Sequence, residues 1–177
     1  MENNLDEQDD DDIILVDATE VPIRRPTTSW LQTITYSGYK KKNTLKYKVA
    51  ISESRSVPLS YSGPYVRPTS EIVIFRENLK SVMEDNDWFG LGDGGYQGEP
   101  DLLLVPPCPF ATLSPVLQAV CQYLACHRIA VEIFFAHMKS FEIMHQSWHH
   151  PLTRHHTVFH SLINIISINL LFAPLRQ

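Results

Sequence analysis

The chain has 177 residues, 44% hydrophobic and 20% charged, with a formal net charge of −5 at pH 7. That length supports one domain with its own core and leaves too little for two. Three cysteines, an odd number without framework spacing, exclude a disulfide-built scaffold. The longest apolar stretch, residues 158–172, is broken by His160, Asn164, Ser167 and Asn169 and falls short of the roughly 20 residues of a spanning helix.

Charge is segregated along the chain. Residues 1–20 hold nine carboxylates and no Lys or Arg, whereas residues 21–80 hold eleven Lys/Arg against three Glu. Residues 81–177 are again acidic, with eight carboxylates and four basic side chains. Such a layout suits an acidic tail that folds over a basic face or pairs with it between molecules. No charged n-region and apolar h-region open the chain, so the expected location is cytoplasmic, with the nucleus as the alternative.

Residues 1–29 read as a disordered acidic tail with a proline-containing linker, and residues 30–177 as a single α+β domain. Within the tail, Asp9 to Asp12 switch abruptly to Ile13, Ile14, Leu15 and Val16, followed by Asp17. This β-prone patch has the right length to add as a strand to a sheet edge, either a partner's or its own. It resembles a SUMO-interacting motif, which implies a SUMO-binding adaptor.

Residues 31–36 predict a strand. Leu45, Tyr47, Val49 and Ile51 alternate with Lys46, Lys48 and Ala50, predicting a half-buried strand, so the two form an N-terminal β-hairpin. Lys40, Lys41 and Lys42 at its tip, with Lys46 and Lys48 along it and tyrosines between, suit an anionic membrane or a nucleic-acid backbone. A helix fits residues 70–84, with Ile72, Phe75, Leu79, Val82 and Met83 facing the core. Residues 85–100 read as an acidic, glycine-rich loop. Its Gly90-Leu91-Gly92-Asp93-Gly94-Gly95 fits a dinucleotide pattern on paper, but a helix precedes it and its acids would repel phosphate.

A short strand follows at residues 102–105, stopped by Pro106-Pro107-Cys108-Pro109. Ser114-Pro115 opens a second amphipathic helix. Ile129, Val131, Ile133 and Phe135 then alternate as in a strand, with a helix as the alternative. Residues 161–172 fit either. The sum is a single compact α+β domain: a hairpin, a small sheet and two amphipathic helices.

All eight histidines lie beyond residue 126. Cys121, Cys126, His145 and His149 loosely resemble a two-Cys two-His zinc finger, which implies a zinc-stabilised interaction domain, although the middle spacer is too long. No cofactor is expected otherwise. No nucleophile elbow or calcium-loop spacing suggests catalysis or a small-molecule substrate.

Tail, Arg24-Arg25-Pro26 linker, lysine hairpin and body together resemble, in layout and length, the small matrix proteins of rhabdoviruses. That resemblance implies a non-enzymatic assembly protein that self-associates and links a nucleocapsid to an anionic membrane. The chain departs from that family in its acidic balance and in lacking a proline-tyrosine motif.

Overall fold

A computed structural model describes residues 13–55, 57–106 and 113–173. Its organising element is β1 (Ile14–Pro22), the central strand of a six-stranded mixed sheet. β1 pairs antiparallel with β3 (Lys42–Ser52) along its whole length, from Ile14 opposite Ser52 to Pro22 opposite Thr44. On its other side it runs parallel to β5 (Gly90–Leu91), which runs parallel to β6 (Leu103–Leu104). The far edge of β3 takes β4 (Pro58–Tyr65) and, nearer the start of β3, the two residues of β2 (Tyr36–Ser37).

The aliphatic run is core. Ile14, Leu15 and Val16 are essentially inaccessible to solvent, as a continuous apolar run should be in a strand covered on both faces. The expected division at residue 30 is therefore corrected: the domain includes β1, and residues 13–16 add a strand to their own sheet, not to a partner's. Residues 1–12, which hold the expected acidic tail, lie outside the described residues.

Two helical layers cover the sheet. Leu15, Val21, Tyr47, Val49 and Ile51 pack against α4 (Pro115–Ser140) and α6 (His155–Phe172) through Val131, Phe134, Met138, Phe159 and Ile163. On the opposite face Ile14, Val16 and Ala50 meet Phe75, Leu79 and Met83, from α2 (Glu71–Asn78), the residue after it and α3 (Lys80–Asp85). The helix expected over residues 70–84 is thus two helices, broken at Leu79.

Two strand expectations become helices. Residues 29–35 form α1 (Ser29–Thr35), where Thr33 and Thr35 donate hydroxyl bonds to the carbonyls of Ser29 and Leu31, at 3.1 and 2.6 Å. These local bonds hold a turn that residue propensity alone assigns to a strand. Residues 129–135 continue α4. Their alternation is incidental, because Val131, Phe134, Phe135 and Met138 share the buried helical face while Ile129 is exposed. Ser114 caps α4 as expected, its hydroxyl accepting from the Leu117 amide. By length and hydropathy α4 also passes for a membrane-spanning helix, yet its inner face is spent on the sheet. After the short α5 (Glu142–His145), α6 occupies the segment that fitted strand or helix. The proline stop at residues 107–109 lies outside the described residues.

Candidate functional site

The sheet changes character at β1, which has an antiparallel neighbour on one side and a parallel one on the other. The strand order also reverses there, descending from β3 to β1 and then ascending through β5 to β6, and in open sheets ligands bind at such a point, outside the carboxyl ends of the strands. The last paired residues there are Leu15 and Leu91. Asp17 and Asp93 each lie two residues further along their own chains, so the parallel register delivers two carboxylates to one end of the seam.

Close approach of β5 to β1 requires glycine at position 90, where a Cβ would sit 2.6 Å from the Ile14 carbonyl oxygen. Asp93 then caps a 3-10 turn (Gly94–Tyr96), its Oδ1 accepting from the Gly95 amide at 2.9 Å. Tyr96 is buried beneath this turn. A Cβ at Gly95 would collide with the Glu71 carboxylate, which places Glu71, at the start of α2, beside the same turn.

Helix α4 crosses the face on which Asp17 lies. Arg128 Nη2 stands 3.7 Å from Asp17 Oδ2. Glu132 follows one helical turn later and Lys139 two turns after that. A pocket of about 470 Å³ gathers Asp17, Glu20, Lys46, Glu71, Glu132 and Lys139 among its lining. Lys46 Nζ reaches Glu71 Oε1 at 3.3 Å.

This is an electrostatically unbalanced site. Burial pushes the Asp17 carboxyl up to about 6, and the charges of Asp93 and Glu71 push the same way. The Ala18 amide, at 2.7 Å, and Arg128 oppose them without prevailing. Lys139 is pulled below the usual lysine range by burial and then by Lys40. Asp17 is thus a carboxyl raised chiefly by burial and further by neighbouring acids, with Arg128 offsetting only part of that.

The residues singled out from the sequence scatter. Ile13 to Val16 are structural, whereas Asp17, read there as a flanking acid, is at the centre of the site. Lys40 borders the acidic pocket, and Lys41 and Lys42 line a separate one. Lys46 is paired with Glu71. Lys48 is fully buried and among the described residues its ammonium has no hydrogen-bond partner, so it offers nothing to a membrane or nucleic acid. Its face of β3 is covered by the α2 layer instead of water.

Cys121 is buried and Cys126 exposed on α4, while His145 ends α5 and His149 lies in the following loop. Among the described residues no three His, Cys, Asp or Glu side chains come within reach of one ion. The zinc arrangement is therefore not assembled. Sequence reading missed Asp93 and Glu132. The available signals were an acid inside an aliphatic strand, a Gly-Asp-Gly-Gly-Tyr turn, and Arg128-x-x-x-Glu132 on a helix.

The family model for DDE superfamily endonuclease matches residues 16–168. The chain belongs to this family. No curated protein and no solved structure matches it. The match corrects the matrix-protein reading, and with it the self-associating, nucleocapsid and membrane partners and the non-enzymatic assignment. It likewise displaces the SUMO-adaptor and zinc-domain alternatives. The misreading arose because segregated charge and a lysine hairpin suit any anionic partner, and nucleic acid is one.

Proposed function

We propose that the protein is an endonuclease that cleaves phosphodiester bonds at a site formed by Asp17, Asp93 and Glu132. The observation that carries this reading is the parallel β1–β5 register, which brings Asp17 and Asp93 to one end of the seam, where burial pushes the Asp17 carboxyl up to about 6. In one-letter code the order of these residues along the chain, Asp, Asp, Glu, is also that of the family's description.

Nuclease chemistry of this kind calls for a divalent cation, and the residues fit one. Asp17 and Asp93 offer hard oxygen donors, and the positive charge Asp17 lacks is what a cation brings. Asp17, Asp93 and Glu132 would hold it, although among the described residues these three do not close on a single ion. A divalent cation held there would supply Lewis acidity to the attacking water and to the departing oxygen.

The protein's own side chains do the rest. Arg128 holds Asp17 in its ionised, ligand-competent form. Lys46 keeps Glu71 paired, so that this fourth carboxylate adds less repulsion to an incoming phosphate. Lys40 and Lys139 supply positive charge at the pocket wall, where a phosphate would otherwise meet only acids.

Supercoiled plasmid incubated with the full chain and Mg²⁺ or Mn²⁺ tests the reading. Nicked product is expected, lost with a chelator and reduced at least about a hundredfold by Asp17→Asn, Asp93→Asn or Glu132→Gln. Absence of nicking with either metal, or nicking indifferent to all three substitutions, would overturn it.

A further inference from the structure

Resting on the nuclease reading, we propose that a second pocket, formed by Arg24, Arg25, Lys41 and Lys42, holds the phosphate backbone of the nucleic acid whose scissile bond lies at Asp17. This pocket, of about 800 Å³, also takes Tyr36 and His149 into its lining and contains no Asp or Glu. Against a chain charge of −5, four cations around one concavity are a local concentration, not a background. Among the described residues none of the four forms an ion pair. Arg25 is instead oriented by Gln32, whose Oε1 accepts from its Nε and Nη2 at 3.1 and 3.0 Å.

The cations are held by rigid backbone. Beyond β1, Ile23 bridges to Trp148 in parallel. The Trp148 amide donates to the Pro22 carbonyl at 3.0 Å, and the Arg24 amide donates to the Trp148 carbonyl at 2.9 Å. Ile23 and Trp148 are both buried. The arginines therefore project from an anchored extension of the strand that carries Asp17.

The turn of the β2–β3 hairpin makes the two pockets neighbours. Tyr39 and Lys40 border the acidic pocket, and the next two residues, Lys41 and Lys42, border the basic one. A polyanion lying along this turn would meet the phosphate-holding cations and the carboxylates in succession. Seven residue steps of extended chain separate Asp17 from Arg24, about 23 Å at strand rise. That distance corresponds to about seven base pairs of duplex.

The test uses the full chain carrying Asp17→Asn, so that binding is read without cleavage, and a fluorescein-labelled DNA duplex. Anisotropy titrations across a salt series should give a steep salt dependence. Adding Arg24→Gln, Lys41→Gln and Lys42→Gln should weaken binding and reduce the log–log salt slope by about 2–3, at ~0.9 per lost phosphate contact. All three side chains are exposed, so circular dichroism should be unchanged, and Lys42→Glu alone gives the same direction with a single substitution. Arg55→Gln, an exposed cation at the opposite end of β1, should leave binding as it was. Unchanged affinity and slope in the triple variant, or an equal loss with Arg55→Gln, would overturn the proposal. If the otherwise unaltered chain binds through these residues but never nicks plasmid, the groove stands and the nuclease reading falls. If it nicks while the triple variant binds normally, the reverse holds.

Discussion

Arg128 Nη2 lies 3.7 Å from Asp17 Oδ2, one helical turn ahead of Glu132. The helix that supplies one acid of the site thus also supplies the cation that shields another. The shielding is incomplete, since burial still raises Asp17 to about 6 from an ordinary 3.8.

An acid raised in the folded state is penalised when ionised, so its cost appears as pH climbs from about 4 to 6 and persists above. The Asp17 side chain is 17% exposed, and the two-unit shift corresponds to about 2–3 kcal/mol. Asp17→Asn should therefore raise the melting temperature at pH 8 and abolish cleavage, with the stabilisation fading at pH 4. An Asn advantage equal at both pH values, in thermal melts, would contradict the assignment.

Lys48 should show the opposite pH window. Burial without a partner lowers it to about 8 from 10.5, so the charged form is penalised below pH 8 and relieved as pH rises towards 10.5. Lys48→Met should stabilise the fold at pH 7 by about 2–3 kcal/mol. Urea midpoints measured at pH 7 and pH 10 should differ from those of the unaltered protein only at the lower pH.

His155 is buried with its Nδ1 2.7 Å from the Tyr47 hydroxyl, and among the described residues its Nε2 has no hydrogen-bond partner. Burial lowers it to about 4 from 6.5. A histidine lowered in this way must charge on unfolding, so stability falls as pH drops from 6.5 towards 4, by up to about 3 kcal/mol. Replacing both partners, Tyr47→Phe with His155→Phe, should remove this part of the acid sensitivity. Denaturation curves at pH 7 and pH 5 would check it, and parallel losses in both proteins would refute it.

Gly90 and Gly94 form a matched pair. A Cβ at position 90 meets backbone of β1, whereas one at position 94 meets nothing within 4 Å. Gly90→Ala should cost about 1–3 kcal/mol and lower plasmid nicking by displacing Asp93 from Asp17. Gly94→Ala should change stability little. Equal effects on nicking would mean that the β1–β5 approach does not position the acids.

The fold class was legible where a period was strong. The strand over Leu45 to Ile51 and the Ser114-Pro115 helix start both appear, although the strand, read as half-buried, is covered on both faces, with Lys48 and Ala50 buried. β5 was invisible because two paired residues, Gly90 and Leu91, carry no period. The acids were hidden for a different reason. Asp17 looks like Asp12 in a sequence, and only β3 and β5, some 30 and 75 residues away along the chain, make it a buried charge. The glycine-rich loop reads as phosphate-repelling because it is acidic, whereas acids sharing a divalent cation would attract phosphate.

β1 is joined to segments spread over most of the described chain: Ile14 to Ser52, Leu15 to Leu91 and Ile23 to Trp148. During synthesis this strand precedes all three of its partners. Ile14, Leu15 and Val16 find their partners at residues 50–52 and 90–91, so both edges of the aliphatic run are covered only when about half of the 177 residues have been made, which is the situation in which strands aggregate. Asp9 to Asp12 immediately ahead of the run, and Asp17 immediately behind, are charges placed where gatekeepers belong. The acidic run therefore has work to do in the nascent chain, as a guard on the strand that the finished sheet encloses.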